Sequence, residues 1–347
     1  MLLRRVYQRE ETLEIEAIAK DSGLRLCEVV AYNTLLDVFS GCVSGGVRAT
    51  LGEETQGLLE EGSQTMLHFR NLDWEMDILR DLLIQVEYVR EGEVIARAVT
   101  YAGYTGVLTG VREGLSLSLN YRQRVQSRSS SMTHYFHYLA VLLGSRSSTP
   151  SLLRSLLLSP GPPPTIDEVI DYFRATKSGT CYLTFCSPDE VLILEKDLDG
   201  VSVSVEPATK DKGLDLGSSN IQEGSKTEAQ NQEDGGIRRS KQFAVVTNHD
   251  LLSEAWSPAR WARAWKRRKI GDVGGADKIM GDSMERKRCL VACFDDVEQA
   301  GRKVTLENIK RWLRTRPVRN ETTHFSCIMD PSALGGGMVW VEACEAV

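Results

Sequence analysis

One segment of the sequence begins as a short apolar strand and ends in polar side chains: Thr65-Met66-Leu67-His68-Phe69-Arg70-Asn71-Leu72-Asp73-Trp74. Upstream of it the chain reads Gly41-Cys42-Val43-Ser44, where an earlier strand begins. If the two strands pair as a hairpin, the second returns Arg70 and Asp73 to Cys42. The hairpin therefore predicts both the start of a sheet and a candidate site.

Two helices are predicted before this hairpin. Between residues 11 and 40, apolar residues recur at the spacing of one helix face, and Asp21-Ser22-Gly23 interrupts them. The pattern indicates a helical pair with a short turn, whose second member leads the chain to Cys42.

Strands and helices alternate after the hairpin. Residues rich in β-formers predict strands at 65–70, 83–89, 94–100, 115–120 and 243–248, and a hairpin over 182–194. The strict alternation of Leu115-Ser116-Leu117-Ser118-Leu119-Asn120 is typical of a half-buried strand. Helical patterns occupy residues 134–176, where Thr165 caps the last helix.

Two segments differ from the rest in composition. Residues 206–240 are poor in aromatic side chains and rich in polar ones, which predicts a disordered surface insertion. A basic insertion is predicted over 257–281, and its helix carries Trp261 and Trp265 one turn apart. These tryptophans either contact a membrane surface or pack on the core of a solvated insertion, and both interpretations stay open.

Composition excludes several classes of function. The chain has 347 residues, and 42 basic against 48 acidic side chains give a net charge of −6, so we expect no nucleic-acid partner. Its eight cysteines show no repeated zinc-ligand spacing, so we expect no metal and no cofactor. Cys181 and Cys186 lie on a predicted strand with their side chains on opposite faces, as core residues.

The candidate site rests on an arrangement, because each of its residues alone has an ordinary explanation. A cysteine is most often a small buried hydrophobe, and an exposed pair such as Arg70 and Asp73 contributes little stability. Two further strands end in Asn120 and Asn248, whose amides can donate hydrogen bonds to a developing oxyanion. Together with Cys42 they predict hydrolysis of an amide by a thiol.

Several motifs follow one another in the order of a known family. They are Leu13 to Ala19 with Cys42-Val43-Ser44, Tyr101 to Gly110 with Gly114 to Arg122, and Val246-Thr247-Asn248. In these motifs the chain resembles the acid ceramidase and N-acylethanolamine acid amidase family, which is related to bile salt hydrolases and penicillin V acylases. The resemblance implies an α+β fold, the four-layer αββα sandwich of N-terminal-nucleophile hydrolases.

The same resemblance implies that the chain cuts itself between Gly41 and Cys42. Residues 1–41 would form a helical segment like the family's α-subunit, shortened at its N-terminus relative to the family, and residues 42–347 the catalytic β-subunit. We expect the two fragments to stay associated. The family's remaining site arginine is matched best by Arg286, with Arg288 as the alternative.

The implied mechanism needs no histidine. A freed α-amino group with a pKa of about 8 serves as base for its own thiol in Cys42. Arg70 favours the thiolate, Asp73 orients the amino group, and Asn120 and Asn248 hold the oxyanion. The implied substrate is an N-acyl lipid, either a ceramide or an N-acylethanolamine.

Two alternatives differ in function while keeping the fold. One is an acylase of smaller amides such as conjugated bile salts, and the other is a non-catalytic relative that binds lipid. Members of the family are lysosomal or secreted, whereas the first ten residues here contain no apolar segment of a secretory signal. We therefore leave the compartment open, between a lost secretory route and an incomplete N-terminus.

Overall fold

A computed structural model describes residues 3–35, 41–51, 64–122, 131–201, 232–234, 236–251, 254, 256 and 276–345. Seven α-helices occur in these ranges: α1 (Arg9–Ser22), α2 (Leu26–Leu35), α3 (Ser131–Leu142), α4 (Thr149–Leu157), α5 (Ile166–Ala175), α6 (Ala276–Gln299) and α7 (Leu306–Arg314), together with a 3-10 helix at Asp77–Leu82. The predicted helical pair is confirmed. Gly23 ends α1 with φ 72°, a left-handed conformation that glycine adopts at little cost.

The cap of α5 is confirmed as well. Thr165 accepts a hydrogen bond from the backbone of Glu168, and the Glu168 carboxylate accepts one from the backbone of Thr165. This reciprocal pair satisfies two of the amide groups that a helix N-terminus leaves without a partner inside the helix.

The strands form two antiparallel sheets. Their bounds are β1 (Gly41–Thr50), β2 (Gln64–Asp73), β3 (Leu83–Arg90), β4 (Glu93–Tyr101), β5 (Thr109–Arg112), β6 (Leu115–Tyr121), β7 (Cys181–Cys186), β8 (Val191–Asp197), β9 (Gly200–Val201), β10 (Gln232–Asp234), β11 (Ile237–Ser240), β12 (Phe243–Val246), β13 (Thr323–Asp330) and β14 (Gly337–Ala343). One sheet has the order β12-β1-β2-β13-β14, and the other runs β10-β11-β8-β7-β6-β5-β4-β3 with β9 beside β8.

The sheets face each other, and helices cover their outer sides. Strands β1 and β2 contact β6 and β7 across the interior, α4 and α5 lie on the larger sheet, and α6 and α7 lie on the smaller one. This is the predicted α+β, four-layer αββα sandwich. At Gly46 a Cβ atom would lie 2.6 Å from the Cβ of Val191 and 2.8 Å from the sulfur of Cys186, so this glycine lets the sheets approach closely.

Two expectations about individual segments are wrong. Strand β6 is buried on both faces, because its leucines pack under the helix layer while Ser116 and Ser118 point at His68 between the sheets. The disordered insertion predicted over 206–240 does not reach residue 240. Its last residues form β10 and β11, where Ile237 is buried and Arg239 pairs with Glu190.

The two cysteines of β7 belong to different apolar clusters. Cys181 packs with the helix-covered core of the larger sheet, and Cys186 packs between the two sheets. Both are buried, as the alternation of a strand requires.

Candidate active site

Pairing of the first two strands sets the positions of the predicted nucleophile and its neighbours. Strands β1 and β2 are antiparallel, with Gly41 opposite Asp73 and Cys42 opposite Leu72. The Cys42 side chain is fully buried. The hairpin therefore brings Arg70 and Asp73 to the first residues of β1, as the sequence predicts.

Arg70 is the positive group beside the sulfur. Its Nη2 lies 3.2 Å from the Sγ of Cys42, and its Nη1 donates to the Oδ1 of Asn120 over 3.3 Å. The guanidinium is fully buried, so solvent screens its charge little. A positive charge at this distance stabilises the thiolate form of a cysteine.

Asn248 contacts the nitrogen of Cys42 through its oxygen. Its Oδ1 accepts a hydrogen bond from the backbone nitrogen of Cys42 over 2.8 Å and a second one from the Nη2 of Arg286 over 3.2 Å. Its Nδ2 donates to the backbone oxygen of Tyr121 over 2.7 Å. The oxygen of the carboxamide thus orients the nitrogen that would become the α-amine after cleavage, whereas its nitrogen is a hydrogen-bond donor.

Asp73 and Arg286 form a buried ion pair at the end of β2. Arg286 Nη1 bonds Asp73 Oδ2, and the Thr323 hydroxyl donates to the other carboxylate oxygen over 2.6 Å. Burial raises the pKa of Asp73, while Arg286 and Thr323 oppose that rise. In the uncut chain the Cys42 nitrogen bonds Asn248, and the role of Asp73 in orienting the α-amine after cleavage stays a prediction.

Asn120 stands on the facing sheet and completes the cluster. Its Nδ2 donates to the backbone oxygen of Val246 over 3.2 Å, and its Oδ1 accepts from Arg70. All the side chains predicted for the site lie together: Cys42, Arg70, Asp73, Asn120, Asn248 and Arg286. Arg286, the preferred candidate for the remaining arginine, contacts both Asp73 and Asn248.

Sequence reasoning missed two hydroxyl groups of the site. Thr323 comes from β13, at the far end of the chain, and no local pattern connects it with Asp73. Ser283 accepts a hydrogen bond from the backbone nitrogen of Asn248 over 2.9 Å. A signal for it existed, because it precedes Arg286 by one helical turn and so shares its face of α6.

Comparison with known proteins gives partial matches in sequence and a longer one in structure. No protein-family model matches the chain. It is 35% identical over 129 residues to an N-acylethanolamine-hydrolyzing acid amidase of Caenorhabditis elegans, covering 34% of this chain and 33% of that protein. It is 29% identical over 124 residues to the acid ceramidase of Rattus norvegicus, covering 31% and 28%.

A solved structure of the Caenorhabditis elegans N-acylethanolamine-hydrolyzing acid amidase ortholog matches with a TM-score of 0.50 and 20% identity, covering 84% of this chain and 94% of that chain. Over about a third of its length the chain is similar in sequence to acid ceramidases and N-acylethanolamine-hydrolyzing acid amidases. The structural match shows that it shares the amidase fold.

The sequence matches are limited in extent. The chain spans about a third of the length of the curated relatives that it matches. The names of those relatives support an amide-hydrolysing activity, and the reaction of this chain is a proposal.

The remaining expectations concern a metal site and contact with a membrane. Among the described residues no group of three or more His, Cys, Asp or Glu side chains could hold a metal ion. No helix within the described ranges is long and apolar enough to cross a membrane. Trp261 and Trp265, the predicted membrane contact, lie outside the described residues.

Proposed function

We propose that the chain is an amidase that hydrolyses N-acyl lipids, ceramides or N-acylethanolamines, through Cys42 after self-cleavage at Gly41-Cys42. One observation carries the proposal: Arg70 lies 3.2 Å from the sulfur of Cys42 while Asn248 holds the nitrogen of the same residue at 2.8 Å. A nucleophile and its prospective base are thus fixed together in a buried polar cluster.

Self-cleavage converts the Cys42 nitrogen from an amide into an amine. The sulfur attacks the Gly41 carbonyl carbon, the acyl group moves from nitrogen to sulfur, and water then hydrolyses the resulting thioester. Asn248 Oδ1 already accepts a hydrogen bond from this nitrogen, so the amine is held where it forms. Its lone pair can then take the proton of the thiol.

Amide hydrolysis follows the same chemistry on a bound substrate. The thiolate attacks the acyl carbon, the α-ammonium of Cys42 returns a proton to the departing amine, and water releases the fatty acid from the thioester. We assign the side-chain amides of Asn120 and Asn248 to stabilisation of the oxyanion, because an amide nitrogen is a hydrogen-bond donor and both stand in the Cys42 cluster.

An apolar helix face favours a lipid substrate over a polar one. Helix α3 exposes large apolar side chains at helical spacing: Met132, Tyr135, Phe136 and Leu139, followed by Leu143. Its neighbour is α2, the helix that leads toward Cys42. A face of this kind suits contact with a membrane surface, where N-acyl lipids are presented.

Contacts between α1–α2 and the rest of the chain support continued association of the two fragments. Asn33 is buried, accepts two hydrogen bonds from Thr105 and donates one to the backbone oxygen of Gly103. Glu11 accepts a hydrogen bond from Ser151 over 2.6 Å in a buried position. We therefore expect the cut fragments to co-elute in gel filtration without denaturant.

A substrate panel tests the proposal. Ceramide, an N-acylethanolamine and a conjugated bile salt are incubated with cut protein, and release of the acyl group is measured. Activity on either lipid that Cys42→Ala removes supports the proposal. Activity on the bile salt alone establishes the small-amide acylase, and folded, cut protein that is inactive on every substrate establishes the non-catalytic relative.

A further inference from the structure

One hydroxyl group fastens the loop over residues 247–251 to helix α6. Ser283 Oγ accepts hydrogen bonds from the backbone nitrogens of Asn248 over 2.9 Å and His249 over 3.1 Å, and it lies 2.9 Å from His249 Nδ1. Ser283 is fully buried. A hydroxyl has two lone pairs and one hydrogen, so the backbone groups occupy the lone pairs and the hydrogen is left for Nδ1.

The Ser283 hydroxyl can donate to His249 Nδ1 if the ring hydrogen of His249 is on Nε2. His249 Nε2 lies 2.7 Å from Glu254 Oε1, which also accepts a hydrogen bond from Lys287 over 2.6 Å. Burial alone raises the pKa of Glu254, but the His249 hydrogen bond and the Lys287 charge lower it to about 2. Glu254 is therefore a carboxylate that accepts the Nε2 hydrogen, and Nδ1 can accept the hydrogen of Ser283.

Helix α6 forms hydrogen bonds with both the backbone and the side chain of Asn248. Ser283, Arg286 and Lys287 stand at positions i, i+3 and i+4, which share one helix face. Ser283 binds the backbone nitrogen of Asn248, and Arg286 binds its Oδ1. The backbone and the side chain of Asn248 are therefore both held by the same helix.

We infer that Ser283, supported by His249, is a positioning residue that sets the direction of the Asn248 carboxamide toward the Cys42 nitrogen. The inference rests on the proposed function, in which that nitrogen becomes the base. Asn248 reaches it by one hydrogen bond of 2.8 Å. A misplacement of about 1 Å in such a contact can cost about a hundredfold in rate.

Ser240, the last residue of β11, provides a matched control in the turn that leads into β12. Its buried Oγ accepts hydrogen bonds from the backbone nitrogens of Gln242 and Phe243, each over 3.2 Å. Ser240→Ala and Ser283→Ala therefore delete comparable hydrogen bonds to backbone groups before and after the same strand. A purely structural role predicts similar effects of the two substitutions on turnover.

Turnover of the cut protein is the first measurement. Ser283→Ala is expected to lower kcat about 10- to 100-fold with KM changed less than about twofold, whereas Ser240→Ala keeps kcat within about threefold. His249→Ala removes the ring contacts with Ser283, Thr247 and Glu254 but leaves Ser283 bonded to the backbone of Asn248, so it is expected to lower kcat by a smaller factor. Equal losses of kcat in the two serine variants would overturn the inference.

Amide hydrogen exchange at residue 42 is the second measurement; it is made in the Cys42→Ala background, in which the chain stays uncut, and it requires no turnover. The Cys42 N–H donates to Asn248, so its exchange rate, followed by NMR, reports the orientation of the carboxamide directly. Ser283→Ala is expected to accelerate this exchange about tenfold, and Ser240→Ala to leave it unchanged. A wild-type protein without turnover contradicts the proposed function alone, whereas unchanged exchange in Ser283→Ala contradicts the positioning role.

Discussion

His68 and Arg70 lie two residues apart on β2 and face the same interior, yet they belong to polar clusters of different charge. His68 is held between the hydroxyls of Ser116 and Ser118 on β6, at 3.0 and 2.9 Å. Arg70, two residues further along β2, meets Asn120, two residues further along β6. The same pair of facing strands therefore builds one neutral, closed cluster and one charged cluster.

The two clusters differ in whether they contain charged groups and a nucleophile that can take part in a reaction. Burial and the nearby Arg70 charge lower the pKa of His68 to about 3, so its ring stays neutral and both of its nitrogens are bonded to hydroxyls. The Arg70 cluster contains a sulfur, two guanidinium groups, a carboxylate and a backbone nitrogen. Burial of polar groups alone does not make a site, whereas buried charge placed beside a nucleophile does.

Removing the nucleophile is expected to have the largest effect. Cys42→Ala should abolish both chain cleavage and amide hydrolysis, because no other atom supplies the attacking sulfur. The matched control is Cys186→Ala, which removes another buried cysteine that lies between the sheets. Gel analysis of cleavage and an acyl-release assay measure both variants, and full activity of Cys42→Ala would exclude it as the nucleophile.

Truncating Asn248 comes next in size. Asn248→Ala should reduce kcat by about 10²–10³, the usual loss for one donor to an oxyanion. Asn71→Ala is the control, since Asn71 is equally buried on β2 but donates to the backbone oxygens of Leu313 and Val318 on the outer side. Similar values of kcat in the two variants would place Asn248 outside the reaction.

The neutral cluster should govern stability toward acid. An unfolded histidine titrates near pH 6.5, whereas folded His68 stays neutral down to a pKa of about 3. Its contribution to stability is therefore complete above pH 6.5 and is lost as the pH falls toward 3. Between pH 6.5 and 5.0 the free energy of unfolding should drop by about 2 kcal/mol for this residue alone.

Urea unfolding in the Cys42→Ala background, in which every chain stays uncut, measures that dependence. Buried His137 and His324, with pKa values lowered to about 4, add to it over the same range. His68→Gln should unfold more easily at neutral pH but show a shallower dependence on pH. An unchanged slope would mean that His68 does not stay neutral in the folded protein.

The smallest effect is expected at the edge of the charged cluster. Thr323→Val removes the 2.6 Å hydrogen bond to Asp73 and leaves the ion pair with Arg286 in place. We expect a loss of about 1 kcal/mol in transition-state stabilisation, roughly fivefold in kcat/KM. A loss as large as that of Asn248→Ala would mean that Thr323 has a direct role.

Local signals determined how much of the fold was predictable. The break at Gly23, the cap at Thr165 and the hairpin of β7 and β8 depend on residues close in sequence, and all three are confirmed. Strand β5 was missed, because Thr109–Arg112 is too short to show a period. The alternation in β6 wrongly predicted a half-buried strand, because alternating serines occur both on a face exposed to water and on a face that packs against other polar side chains.

The candidate site was predictable in composition and not in orientation. The types and order of its side chains were visible along the chain. Which atom of Asn248 faces Cys42 was not, because Tyr121 and Arg286 fix the carboxamide from distant segments. The same holds for Asp73, whose partner Thr323 comes from the other end of the chain.

The bond between Gly41 and Cys42 offers the most direct test of the account. Purified wild-type protein and Cys42→Ala are incubated at acidic and neutral pH, then examined by intact mass and N-terminal sequencing. We predict that the wild type yields a fragment beginning with Cys42 and that the variant stays whole. A folded wild-type chain that remains joined at Gly41-Cys42 under both conditions would contradict the proposed self-cleavage.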